Sequence, residues 1–314
     1  MGVHPPGVWL AFTGLVAALL VLDLAVLNRR SHVLGMKEAL RWSGTLVALA
    51  LLFGLFLIWR EGPAHGLEFY TGYLIELSLS VDNLFVFILV FQYFGVPAAL
   101  QPRVLKWGIL GAIVMRLLMI MLGAALLIRF HWIIYVFGAI LIITGIRMAR
   151  TSAENTVDPA KNPVARLARK LLPFTDRYDG QKFMTRAGGA LVATPLLLVL
   201  LVIEWTDLVF AIDSIPAIFA VTRDPFLVYS SNIFAILGLR ALFFVLAGML
   251  DRFVYLKAGV AFILVFVGVK MVVSGWIHIP ILLSLAVIVL SLAAAVIASI
   301  RANSRAAKGA AAGA

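Results

Sequence analysis

Nine apolar runs of roughly membrane-spanning length, separated by shorter polar stretches, divide this chain. They fall at 8–27, 43–59, 69–93, 105–128, 132–149, 190–220, 226–248, 256–276 and 279–300. The hydrocarbon core of a bilayer takes about 20 helical residues to cross, so each run predicts a transmembrane helix. The sixth run is long enough to be tilted or broken. The first follows a start without Lys or Arg, so it reads as a retained helix rather than a signal peptide.

Composition agrees with this pattern: 63% of the residues are hydrophobic and only 13% charged, with a mean hydropathy of +1.06. A soluble domain is typically about half apolar and a quarter charged. The net charge of +11 would suggest nucleic acid, but its placement argues against such a partner. Twenty of the 26 Lys and Arg fall in the polar stretches that follow the odd-numbered runs or within three residues of them. Only Arg60, Arg129 and Arg223 follow even-numbered runs, and Arg116, Arg240 and Lys270 lie deeper inside runs. Basic residues stay on the cytoplasmic side, so the N-terminus is expected outside and the C-terminus inside. The absence of cysteine excludes disulfides and thiolate metal sites. Trp9, Trp42, Trp59, Trp132 and Trp276 read as interfacial anchors, and Lys270 as a residue that snorkels to the outer surface.

Five segments follow. Residues 1–68 hold two helices and a basic loop, in which Asp23 is expected to pair with Arg29 or Arg30. Residues 69–149 hold three helices, 150–189 a cytoplasmic linker, 190–276 three more helices, and 277–314 the last helix with a basic tail. The linker carries one amphipathic stretch, PVARLARKLLPF at 163–174; it reads as mainly solvated, with a lipid-facing or partner-binding role open to it.

The two three-helix segments resemble each other. Glu76-Leu-Ser-Leu-Ser-Val-Asp82-Asn83 aligns with Asp207-Leu-Val-Phe-Ala-Ile-Asp213-Ser214. LGAIVMRLLMI (110–120) aligns with FAILGLRALFF (234–244), each with one Arg, and FGAILIITGIRMA (137–149) with GVAFILVFVGVKMV (259–272). Three helices is an odd number, so the copies enter the membrane from opposite sides. The fold expected is therefore an all-α polytopic membrane protein with a 3+3 inverted repeat, an architecture that places transport sites near the bilayer midplane.

Acids inside such runs need a reason, because one at a helix centre costs about 3 kcal/mol on insertion scales. The third run carries Glu76 and Asp82, and the sixth Glu204, Asp207 and Asp213. Residues six apart on a straight helix differ by about 120° in direction and about 9 Å in height. Glu76 and Asp82 could share one small cation only if the helices break, as Pro216 would allow by freeing the Ile212 carbonyl, or if the third and sixth runs face each other. Both alternatives place a cation between those runs, with Asn83, Ser80, Ser214 and Thr206 as further oxygen donors. Oxygen-only ligands suit Mg²⁺, Ca²⁺ or Mn²⁺. Arg116 and Arg240 are expected as ion-pair or coupling partners; a purely structural set of ion pairs would leave three acids uncompensated.

ELSLSVDN (76–83), EWTDLVFAIDSIPAIFA (204–220) and SSNIFAILGLRALFF (230–244) make the chain resemble the TerC family of integral membrane proteins, on its Alx-like branch. The resemblance covers nearly the whole chain. It implies export of manganese, with calcium handling in distant relatives, and carries Glu76, Asp82, Asn83, Glu204, Asp207, Asp213 and Ser214 over as metal-site residues. No permanently bound cofactor is expected; the partners are the cation, protons and the lipid bilayer, with oligomeric state open. The sequence has no Gly-x-x-x-x-Gly-Lys-Ser/Thr loop for nucleotide, and neither His-Glu-x-x-His nor Gly-x-Gly-Asp for intramembrane hydrolysis, so an enzyme is not expected. The alternative is a membrane scaffold or partner-dependent metal-homeostasis protein of the tellurite-resistance type, without transport of its own.

Overall fold

In the computed structural model the described residues are 4–27, 36–130, 132–150, 162–187, 189–247, 255–277 and 279–312. The described residues are mostly helical (82%). In order come α1 (Pro6–Leu27), α2 (Met36–Glu61), α3 (Pro63–Tyr93), α4 (Gln101–Arg129), α5 (Ile133–Arg150), α6 (Pro163–Leu171), β1 (Met184–Ala187), β2 (Ala190–Ala193), α7 (Pro195–Phe219), α8 (Pro225–Ala247), α9 (Leu256–Val273) and α10 (Ile281–Ala312). Among the described residues, five helices are long and apolar enough to cross a membrane: those at Lys37–Glu61, Gln101–Arg129, Ile133–Arg150, Pro195–Phe219 and Ile281–Ala302. Pro6–Leu22 and Pro225–Leu239 are shorter apolar helices.

Proline punctuates these helices where it costs least. Pro6, Pro63, Pro163, Pro195 and Pro225 each open one, where the missing N–H would have had no partner. Pro216 lies three residues before the α7 C-terminus, and α7 continues through it. The break that Pro216 was expected to make is absent, and α3 likewise runs unbroken. Of the two alternatives, packing of α3 directly against α7 is the one found.

At the centre, α8 packs on α2 and α3, and α4 packs on α7 and α8. To one side α5 lies along α9, which carries α10 on its other flank. The α5–α9 seam is built on small residues. A Cβ on Gly138 would approach the Gly268 carbonyl at 2.9 Å, and one on Gly145 the Ala261 carbonyl at 2.8 Å. Backbones this close maximise dispersion contact, the main attraction available between helices in lipid. Lys270 does not snorkel. It is 9% exposed and its Nζ donates to Ser284 Oγ of α10 at 2.8 Å.

The linker is folded. Asn162 Oδ1 accepts from the Val164 and Ala165 N–H groups and caps α6. β1 pairs antiparallel with β2 in a hairpin that the apolar run at 190–220 had concealed. Tyr178 donates to the Phe94 carbonyl, and Arg103 reaches Gln181, so the linker seats on the ends of α3 and α4. Hydrogen bonds from Thr185 and Lys182 hold the Asp179 carboxyl below the usual carboxylate range.

Candidate functional site

Arg116, Glu76 and Asp207 each sit near the midpoint of their helix, and they meet there. Arg116, from α4, is fully buried. Its Nη1 bonds Glu76 Oε1 of α3. Its Nη2 donates to Asp207 Oδ1 of α7 at 3.1 Å and its Nε to Oδ2 at 3.4 Å, a bidentate fork. Nη1 also lies 3.0 Å from Asn232 Oδ1 of α8 and 3.3 Å from Ser214 Oγ of α7. Around this core, Asn232 Nδ2 donates to Glu76 Oε2 at 3.1 Å, and Asn83 Nδ2 lies 3.5 Å from Asp207 Oδ1. Ser80 Oγ lies 3.5 Å from Glu76 Oε1. Thr206 does not join, because its hydroxyl donates to the Val202 carbonyl one turn back.

The physical consequence is a charge balance. Glu76 and Asp207 are two carboxylates held where an uncompensated charge would be expensive, and one guanidinium answers both. The oxygens of Glu76, Asp207, Ser214 and Asn232 face Arg116 as oxygen ligands face a hard cation.

The remaining acids lie elsewhere. Glu204, half-buried on α7, rests its carboxylate against Gly111 of α4, where any Cβ would collide with it. Among the described residues none donates a hydrogen bond to it. Asp213, a little over a turn and a half beyond Asp207 on α7, accepts from Thr144 Oγ1 of α5 at 2.9 Å. The side chains of Asp82, Arg240 and Asp23 lie outside the described residues. Among the described residues, no three His, Asp or Glu side chains are grouped as a metal shell. The acids of α7 thus divide among three faces: Asp207 toward Arg116, Glu204 toward Gly111, Asp213 toward Thr144.

Asn232 was not among the expected site residues. Its signal was present in Ser230-Ser231-Asn232, three polar residues in succession inside an apolar run, all fully buried. A second missed feature is a cavity of about 640 Å³ at one end of the bundle, lined by His4, His65, Glu68, Thr222 and Asp224 among others. There Thr222 donates to Glu68 at 2.7 Å, and His4 Nε2 lies 2.9 Å from Asp224 Oδ2.

A polytopic helical membrane protein with a buried acid–arginine–amide cluster is the class this geometry defines. The model of the integral membrane protein TerC family matches residues 61–307, and the chain belongs to that family. It is 52% identical over 300 residues to an uncharacterized membrane protein of Myxococcus xanthus, covering 95% of this chain and 93% of the relative. It is 50% identical over 295 residues to the Escherichia coli K12 protein named "Putative membrane-bound redox modulator Alx", covering 91% and 92%. A Photorhabdus laumondii protein of the same name is 44% identical over 310 residues, covering 96% and 97%. No solved structure matches the chain.

Proposed function

We propose that the chain exports a hard divalent cation, Mn²⁺ above all, from the bacterial cytoplasm in exchange for protons. The observation that carries this reading is the convergence of Glu76 and Asp207, from two helices whose sequences resemble each other, on one buried guanidinium. An inverted repeat gathers a midplane site in this way. The α5–α9 seam supports the same relation. Aligning Gly145 with Gly268 aligns Gly138 with Ala261, and the close approaches of Gly138 to Gly268 and of Gly145 to Ala261 then exchange places.

In this mechanism Arg116 is an internal stand-in for the transported ion. The oxygens of Glu76, Asp207, Ser214 and Asn232 cannot serve the guanidinium and a divalent cation together. Loading the cation requires Arg116 to release at least one carboxylate. Asp82, Asn83, Glu204 and Asp213 are the remaining members of the proposed path, with Arg240 as the counterpart of Arg116 in the second repeat. Moving two charges outward against an inside-negative potential costs about 4.6 kcal/mol per 100 mV, so export needs a coupling ion. Protons entering the cell supply it.

Uptake of Mn²⁺, Ca²⁺ and Mg²⁺ into inverted vesicles containing the purified protein tests this. Proton-dependent Mn²⁺ accumulation, abolished in Asp82→Asn and Asp213→Asn, is expected. The second reading is a scaffold without transport, favoured by the folded basic linker; absence of flux from well-folded protein would select it. The redox role in the Alx relatives' name would need a route other than thiol chemistry here, since the chain supplies no cysteine.

A further inference from the structure

The outer side of α6 is uncovered. Ala165 and Ala168 are buried where α6 packs on α7, and two alanines let it lie close against that helix. Away from α7, Leu167 is 55% exposed and Leu171, one turn on along the same stripe, 71% exposed. Lys170 is exposed beside them, and Arg166 and Arg169 are exposed further round the helix. A short helix that presents leucines on one stripe and cations beside it has the composition of an interfacial membrane helix.

Its position favours the bilayer over a soluble partner. The helix follows the end of α5 and packs on α7, so its leucines stay near the level where both helices leave the membrane. The end of α5 repeats the chemistry: Ile143, Ile146, Arg147 and Arg150 line a recess of about 350 Å³. Ile143 is 62% and Ile146 40% exposed, apolar surface on a membrane-length helix, with both arginines one turn further on. Cations next to apolar surface, at the membrane end of a helix, are what phosphate headgroups meet.

We infer that α6 lies in the headgroup layer, with Leu167 and Leu171 toward the acyl chains and Lys170 on the phosphates of anionic phospholipids. The contact fixes the folded linker to the membrane beside the entry of α7. It stands on the membrane fold alone and does not depend on cation export.

The cysteine-free chain makes the test direct. Leu167→Cys in the full-length protein carries an environment-sensitive fluorophore, in vesicles of phosphatidylcholine alone or mixed with phosphatidylglycerol. Asp176→Cys, exposed on the same linker, is the reference. The expected result is blue-shifted emission at 167, quenched by lipids bearing a nitroxide near the headgroup, in the anionic vesicles, with 176 water-exposed in both. Adding Lys170→Gln should shift the probe back toward water by roughly fivefold. A probe at 167 in water in both vesicle types overturns the inference. So does burial that is equal in the two, which would mean apolar docking without headgroup recognition. Burial that grows with protein density at fixed lipid composition overturns it as well, and would assign the face to a second copy of the chain.

Discussion

Arg116 sets the energetics of the core because it answers two carboxylates at once. Removing one partner from a buried ion network costs about 3–5 kcal/mol, since the charge left behind has neither water nor counter-ion. Arg116→Ala should therefore destabilise the detergent-solubilised protein by about that much, read by thermal or denaturant unfolding. Glu76→Gln leaves the Asp207 fork intact and should cost about 1–3 kcal/mol. Replacing all three by Gln, Gln and Asn removes the charges together and should recover part of the Arg116→Ala loss. If Arg116→Ala costs no more than a surface change, the guanidinium is not the neutralising group. The five acids were legible in the sequence because insertion cost marks them whatever the packing. Their division among three faces was not, since it depends on which helices neighbour α7. Asn232 escaped because an amide carries no charge to flag it, and it lies outside both acidic stretches.

The helices were legible for the reason that the hairpin was not. A run of about 20 apolar residues has one common solution in lipid, a helix that satisfies its own backbone. Residues 190–193, Ala-Leu-Val-Ala, join the next apolar run without a change in polarity, and four apolar residues cannot be told from a helical turn by periodicity. Pro195 was the available signal, since proline opens a helix far more readily than it continues one. Between helices, closeness was partly written in glycine. A Cβ at Gly268 would meet the Gly138 carbonyl at 2.8 Å and Leu141 Cβ at 2.9 Å, whereas one at Gly14 of α1 meets nothing within 4 Å. Gly268→Ala and Gly145→Ala should each cost about 1–3 kcal/mol from overpacking. Gly14→Ala should be neutral or stabilising by up to about 1 kcal/mol, through helix propensity alone. Unfolding midpoints of the three variants side by side separate seam packing from a general intolerance of alanine.

At the scale of the molecule, parity of crossing joins the observations. If the nine long helices each cross once, then residue 4, residues 61–68, the end of α4 with the start of α5, and the turn at 220–224 share one face. The linker, the α3–α4 turn and the start of α9 share the other. The contacts fall into those two groups. His4 meets Glu61 and Asp224, and Thr222 meets Glu68 on the first. Tyr178 meets Phe94, Arg103 meets Gln181, and the Tyr255 N–H meets Ser299 on the second. A helix that turned back within the membrane would mix the groups. By the positive-inside rule the first face is the one expected outside. Trp276, 76% exposed between α9 and α10, belongs to the first group, and Asp176 to the second. A membrane-impermeant maleimide should label Trp276→Cys and spare Asp176→Cys in intact cells, and do the reverse in inverted vesicles. Labelling of both from one side would break the parity. Reversal of the two patterns would keep nine crossings and invert the orientation.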